Sequence, residues 1–239
     1  MANSYFQFKQ FKITQDRCAM KVGTDGVLLG AWAPLKKEAC KVLDIGTGTG
    51  LVALMLAQRC RSALVEAIDI DESAVDQARE NVADSPWPER VNVWQMDVKN
   101  VPHAWKEKFD CIVSNPPYFV DSLKCPDVSR MLARHTAELD FPLLAQSASF
   151  LLKEGGVFSV ILPADAYVSF VASCLHEGLH LQRILWVHTK PDIPAKRVLM
   201  AFVKQAVERT EQEHLIVEIS RHVYSSEYVS LLKDFYLKL

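Results

Sequence analysis

From Lys41 onward the chain alternates short apolar runs with amphipathic ones, and this restricts the fold more than any other feature. "KVLDIG" reads as a buried strand and "LVALMLAQRC" as a helix. "LVEAIDI" is a second strand, followed by a helix over 72–82 with Ala74, Val75, Ala78 and Val82 on one face. "VNVWQMDV" and "FDCIVSN" are further strands; "FPLLAQSASFLL" is a helix expected to end before a break at Gly155 and Gly156. "VFSVILP" precedes a helix over 166–177. Strands and helices alternating at this spacing require right-handed crossovers, hence an α/β fold with a mostly parallel sheet covered by helices on both faces. The last third differs. "LQRILWVHT" and "RVLMAFVKQ" have no helix between them and are expected to pair antiparallel across "KPDIPAK". After "LIVEI", a short terminal helix carries Tyr228, Leu231, Leu232 and Phe235 at core spacing.

Other classes fall away on bulk properties. The longest apolar runs, such as residues 51–57, fall well short of the roughly 20 residues that cross a bilayer. Residues 1–11 lack the charged-then-apolar pattern of a secretory leader, so a cytoplasmic location is expected. Cys18, Cys40, Cys60, Cys111, Cys125 and Cys174 are scattered without a C-x-x-C pair, which suggests neither zinc nor a disulfide framework. A net charge of −2 excludes a global polycation, although residues 1–40 carry +3 and the remainder −5.

The first strand runs into "DIGTGTG", which holds Asp44, Gly46, Gly48 and Gly50. Glycines at a strand-to-helix turn let the backbone approach a ligand closely. A dinucleotide turn would follow G-x-G-x-x-G; here Leu51 occupies the third glycine position, and an acid precedes the pattern. The second strand ends at Asp69, where a carboxylate can accept both hydroxyls of a ribose, and Asp71 is expected to cap the next helix. The third ends in "QMDV", where Asp97 can accept from an adenine amine with Met96 and Val98 against the ring. Each acid alone reads as well as a helix cap or an exposed turn as it does as a ligand contact. Three consecutive strands ending in acids point to a nucleoside-like ligand at the carboxyl edge, where open α/β sheets bind ligands.

The fourth strand stops at "NPPY", since prolines cannot continue a β-ladder and restrict the preceding residue. The Asn115 side-chain carbonyl and the Pro116 backbone carbonyl are two acceptors in a corner stiffened by Pro117. They suit the two hydrogens of a planar amine, and Tyr118 offers a face for stacking. The alternative is a proline-stiffened corner with no ligand.

These four elements resemble the class I S-adenosylmethionine-dependent methyltransferases that carry an N-P-P-Y amine-reading loop, from about residue 20 to the C-terminus. The resemblance implies one Rossmann-like domain over 1–239, with a mostly parallel, seven-stranded-type sheet ending in an antiparallel pair. Residues 1–40 would then be an extension packing over the cleft. It also implies S-adenosylmethionine as cofactor, no metal, and methylation of an amine of adenine, guanine, cytosine or glutamine. Acceptors at Asn115 and Pro116 would favour a pyramidal, attacking nitrogen. In-line positioning of this kind supplies roughly 7–11 kcal/mol without a strong base.

"MKVGTDGVLLGAW" (20–32), "RMLARHTAELDF" (130–141), "DIPAKRVLM" (192–200) and the terminal "SSEYVSLLKDFYLKL" are similar to the bacterial family that methylates the 6-amino group of adenine 37 in a valine tRNA. That similarity implies tRNA as partner and a target base flipped from its stack. Lys21, Thr24 and Asp25 would close over the cofactor, while Arg130, Arg134, His135, Lys196 and Arg197 would meet RNA phosphates. For each basic residue, a solvated or ion-paired surface charge is the alternative.

Release-factor glutamine methyltransferases share the loop but typically carry a helical domain ahead of the glycine motif, where only about 40 residues stand here. Ribosomal base-amine methyltransferases are often longer. A non-catalytic RNA-binding module sits poorly with an intact glycine turn, Asp69 and "NPPY"; a hydride-transferring enzyme sits poorly with Leu51. His103, His176, His180, His188, His214 and His222 lack ligand spacing. "SYFQFKQFKI" is expected to form a packed hairpin arm rather than to stack on bases.

Overall fold

The structure, a computed structural model, describes residues 4–18, 21–35, 40–117 and 140–238. Its centre is an eight-stranded sheet in the order β10-β8-β9-β7-β6-β3-β4-β5. The strands are β3 (Lys41–Ile45), β4 (Leu64–Asp69), β5 (Val91–Gln95), β6 (Phe109–Ser114), β7 (Leu152–Pro163), β8 (His180–His188), β9 (Arg197–Val203) and β10 (Glu211–Ile216). β9 pairs antiparallel with both β7 and β8, and every other pairing is parallel. β9 alone therefore runs against the rest. The carboxyl ends of β3 to β8 and of β10 share one edge with the amino end of β9. The expected α/β architecture holds, with β10 as an eighth strand.

Strands buried on both faces read as continuous apolar runs because alternate residues serve opposite layers. Val42, Val65, Cys111, Val113 and Leu199 join one core, with α1 (Thr24–Trp32), α2 (Leu51–Arg59), α3 (Glu72–Ala83) and α6 (Ser226–Leu232). Leu43, Ile45, Ile112, Phe158 and Val160 join the other, with α4 (Phe141–Leu151) and α5 (Tyr167–His176). Tyr228, Leu232 and Phe235 are buried, as their spacing predicts.

The glycine pair does not break the chain where the sequence suggests. α4 ends at Leu151, and β7 begins at Leu152 and carries Gly155 and Gly156 within it. The register slips there, with Phe109 opposite Leu152 and Cys111 opposite Val157. A Cβ at Gly156 would fall 2.7 Å from Leu152 Cδ1 and 3.0 Å from the Phe109 carbonyl oxygen, so the residue permits close approach rather than a stop.

The aromatic N-terminus packs. β1 (Tyr5–Gln7) and β2 (Lys12–Thr14) form an antiparallel hairpin. The Phe8 ring stacks on Phe11 at 4.7 Å, and the Lys9 amide donates to the Phe235 carbonyl at 2.8 Å. The hairpin lies against α3 and the C-terminal segment, while α1 reaches the sheet edge. Cys18, Cys40, Cys60, Cys111 and Cys174 form no disulfide with one another, and Cys125 lies outside the described residues. Among the described residues, no helix is long and apolar enough to cross a membrane.

Candidate active site

The parallel half of the sheet brings its strand ends together through backbone bonds. Gly46, Gly48 and Gly50 adopt left-handed φ values of 72°, 56° and 81°, which side chains resist. The Gly46 and Thr47 amides donate to the Ile68 carbonyl at 2.9 and 3.0 Å, fastening the turn after β3 to the end of β4. A Cβ built at Gly46 or Gly48 meets nothing within 4 Å, so the turn borders open space. At Gly50 a Cβ would sit 3.4 Å from the Ala78 Cβ of α3, an ordinary contact, so there too the left-handed φ is what calls for glycine.

The acids divide by role. Asp69, half-buried, accepts the Gly48 amide at 2.9 Å and the Asp71 amide at 3.1 Å, so its carboxylate stands where the turn opens. Asp71 caps α3 by accepting from the Ser73 amide, as expected. Asp44 is buried behind the turn and accepts from Thr47 Oγ1 at 2.7 Å and the Ala53 amide at 3.1 Å. Burial pushes the Asp44 carboxyl up to about 7, despite those two hydrogen bonds, and the nearby Asp69 adds to the rise. Asp97 accepts from the Lys99 amide at 2.9 Å and caps a short 3-10 turn, with Met96 half-buried and Val98 buried beside it.

The end of β6 lies against the same turn. Ser114 Oγ donates to the Ile45 carbonyl at 2.9 Å, which ties β6 to β3 one residue before Asn115. Asn115 is half-buried, Pro116 buried and Pro117 exposed. α1 approaches from above. A Cβ at Gly26 would lie 3.8 Å from Asn115 Nδ2 and 3.1 Å from Leu51 Cδ2. Beside Gly26, Asp25 accepts from Arg197 Nε at 2.8 Å. Two residues assigned to different ligands in the sequence thus meet each other, one residue along α1 from Gly26. Lys21 and Thr24 are exposed, and so is Lys196. Tyr118, Arg130, Arg134 and His135 lie outside the described residues.

Sequence reasoning passed over three contributors. Gln77 and Asn81 are buried on α3 at i,i+4 spacing within its apolar face. Asn81 Nδ2 donates to the Thr14 and Thr49 carbonyls at 2.9 Å each, and the Arg17 amide donates to Gln77 Oε1 at 3.2 Å. Two amides interrupting an apolar stripe were the available signal. Cys18 follows from that clamp: burial, with Asp69 and Asp71 nearby, pushes its thiol up to about 11. The segment after β2 therefore borders the cleft.

The Methyltransferase small domain model matches residues 26–163. A tRNA1(Val) (adenine(37)-N6)-methyltransferase of Phocaeicola vulgatus is 56% identical over the full length of both chains, and one of Bacteroides fragilis 51% identical, also over both full lengths. Among solved structures, a predicted O-methyltransferase from Agrobacterium tumefaciens superposes with a TM-score of 0.67 at 23% identity, covering 88% of this chain and 96% of its own.

Proposed function

The chain belongs to the Methyltransferase small domain family and, within it, to the tRNA1(Val) (adenine(37)-N6)-methyltransferases, and from that premise we propose that it methylates the 6-amino group of adenine 37 in a valine tRNA. The observation that carries this reading is the Asn115–Pro116 corner set beside an open glycine turn, in a chain 56% identical to such an enzyme from end to end. S-adenosylmethionine is the methyl donor in this proposal, and the cytoplasm, where tRNA is used, is the place of action.

The residues suit that cofactor. Open space over Gly46 and Gly48 leaves room for a ligand against the backbone, with Asp69 at its margin to accept ribose hydroxyls. Gly50 supplies the left-handed residue from which α2 starts. Asp44 holds the turn through Thr47 and Ala53, acting as a positioning residue. Asp97 takes the adenine amine, and Lys21, Thr24 and Asp25 flank the opening from the start of α1. When bound, S-adenosylmethionine supplies an electrophilic methyl group.

The chain's own residues prepare the nucleophile. An adenine amine is weakly nucleophilic because its lone pair is delocalised into the ring. Asn115 Oδ1 and the Pro116 carbonyl accept its two N–H groups and turn the lone pair out of the ring plane. Pro117 keeps the two acceptors in fixed relation, and Tyr118 stacks on the base. Acceptors fixed in place before the base arrives stabilise the developing charge without reorganising during the reaction. Lys196, Arg197, Arg130, Arg134 and His135 meet the RNA backbone, Arg197 while its Nε stays on Asp25.

The test incubates purified protein with labelled S-adenosylmethionine and total tRNA from cells lacking it, followed by nucleoside analysis. N6-methyladenosine confined to a valine tRNA is the expected result. Label in a release factor or ribosomal RNA instead would overturn the substrate and leave the reaction class standing.

A further inference from the structure

A short ribbon stands on the same sheet edge as the candidate site, with no role assigned to it above. β11 (Glu218–Ser220) and β12 (Val223–Tyr224) pair antiparallel immediately after β10. Since β10 runs parallel to β8, with Ile216 opposite His188, the ribbon emerges at the carboxyl edge. Its base is fastened to the β8–β9 loop: the Val217 amide donates to the His188 carbonyl at 2.8 Å and the Glu218 amide to the Thr189 carbonyl at 3.1 Å. His188 braces that loop in turn, its Nδ1 lying 2.8 Å from the Ile193 carbonyl oxygen and its Nε2 3.0 Å from His214 Nδ1. The Ser225 amide returns to the Val217 carbonyl at 3.0 Å, closing the ribbon before α6.

We propose that this ribbon and the adjoining β8–β9 loop form a docking face for the RNA strand flanking the target base; the proposal rests on the tRNA reading above. Two properties of the face favour RNA. Ile219 on β11 and Val223 and Tyr224 on β12 stand 55%, 47% and 39% exposed, and Tyr224 is fixed by stacking on Tyr228 at 5.0 Å. Lys190, Lys196 and Arg221 are also exposed, and none has a carboxylate partner among the described residues. By contrast, Arg183, Lys153 and Lys204 on the same half of the sheet are each ion-paired. Cations beside a fixed ring and small apolar groups match phosphates beside unstacked bases.

Area decides against a protein partner. A stable protein interface takes roughly 800 Å² from each side, whereas three half-exposed side chains offer a few hundred at most. Position agrees as well. β8 and β10 lie three and four strands from β6, about 14 and 19 Å at the usual spacing of 4.7–4.9 Å. That offset is too far for the flipped base held at Asn115 and suits the nucleotides beside it.

The experiment measures binding of an unmodified valine tRNA transcript across a salt series, with cofactor affinity and turnover at saturating tRNA in parallel. Arg221→Ala, at an exposed ribbon tip, should weaken binding about 3–10-fold and reduce the log K against log salt slope by about 0.7–0.9. Lys190→Ala combined with Arg221→Ala should roughly double both effects. Tyr224→Phe should bind as wild type, and Ile219→Ser should lose affinity at an unchanged slope. Cofactor affinity and saturated turnover should not move in any of them. Wild-type affinity and slope in the Lys190/Arg221 double variant would overturn the docking face. A wild-type protein that binds tRNA but methylates a different substrate would overturn the tRNA-modifying reading, and the ribbon would still be judged by binding. A self-association abolished by Ile219→Ser without any change in tRNA binding would assign the face to a second copy of the chain and overturn the proposal.

Discussion

The two halves of the carboxyl edge are built on opposite rules. Along β3, β4 and β6 the strand ends are fastened to one another: the Gly46 and Thr47 amides to Ile68, the Gly48 amide to Asp69, the Ser114 hydroxyl to Ile45. Along β8, β9 and β10 the edge is a loop and a ribbon whose charged and apolar side chains stand in solvent. A small cofactor is the same at every turnover, and a prebuilt, internally bonded turn suits it. A macromolecule arrives with its own shape, and an exposed face of mixed chemistry suits that. Substitutions in the two halves should therefore disturb different quantities.

The largest separation is expected at Asn115. Asn115→Ala removes one of two acceptors for the target amine and should lower kcat about 100–1000-fold, the usual cost of losing one preorganised hydrogen bond at a reacting centre. Cofactor affinity, read by equilibrium dialysis, should stay within about twofold. A matching loss of cofactor affinity would show that β6 serves the cofactor turn rather than the amine.

Asp44 tests whether the parallel half is held by its buried carboxyl. An aspartate in the unfolded chain titrates near 3.9, and in the fold burial raises Asp44 to about 7. The folded protein therefore binds the extra proton between those values. The stability contributed by this group is complete below about pH 4 and is lost as pH rises through 7, by an amount of the order of a few kcal/mol. Asp44→Asn keeps an acceptor for Thr47 and Ala53 and removes the charge. Its melting temperature relative to wild type should climb by several degrees between pH 5 and pH 8. A difference that stays flat with pH would return Asp44 to the ordinary carboxylate range.

The same division explains what was legible in the sequence. Strands buried on both faces, a glycine turn and acids at strand ends are local signals, so the parallel half could be read residue by residue. The eighth strand could not: β10 is "EQEHLI", polar and exposed over its first four residues, and its pairing with β8 depends on a contact about 28 residues away. Gly155 and Gly156 misled because glycine signals a break and a close approach alike; only Leu152 and Phe109, packed against Gly156, distinguish them. Asp25 and Arg197 were each assigned a ligand because nothing local reveals a pair 172 positions apart.

Asp69 comes next in size. Asp69→Ala removes a carboxylate that holds the Gly48 amide and borders the open turn. Charge-assisted hydrogen bonds contribute about 1.5–3 kcal/mol, so cofactor affinity should weaken roughly 10–100-fold. Affinity for tRNA, measured without cofactor, should not change. If tRNA binding fell alongside, the halves would be coupled through more than their shared sheet.

The smallest expected effect lies at the ion pair between Asp25 and Arg197, which joins the two halves. Asp25 opens α1 next to Gly26, and Arg197 opens β9, whose pairing places it opposite Pro163 at the end of β7. Both side chains are partly exposed, at 26% and 34%, so a double-mutant cycle with Asp25→Asn and Arg197→Gln should give a coupling of about 0.5–1 kcal/mol. Asp25→Asn should lower kcat two- to fivefold on the order expected from that energy and leave the KM for tRNA unchanged. Arg197→Gln should lower kcat similarly and raise the KM for tRNA, because this side chain belongs to both halves. Exchanging the two charges, Asp25→Arg with Arg197→Asp, then separates the roles. Recovery of kcat with a persistently high KM would mean that the pair sets α1 against Asn115 while a cation at 197 meets phosphate. Failure to recover kcat would remove the link, and the two halves would work independently on a common sheet.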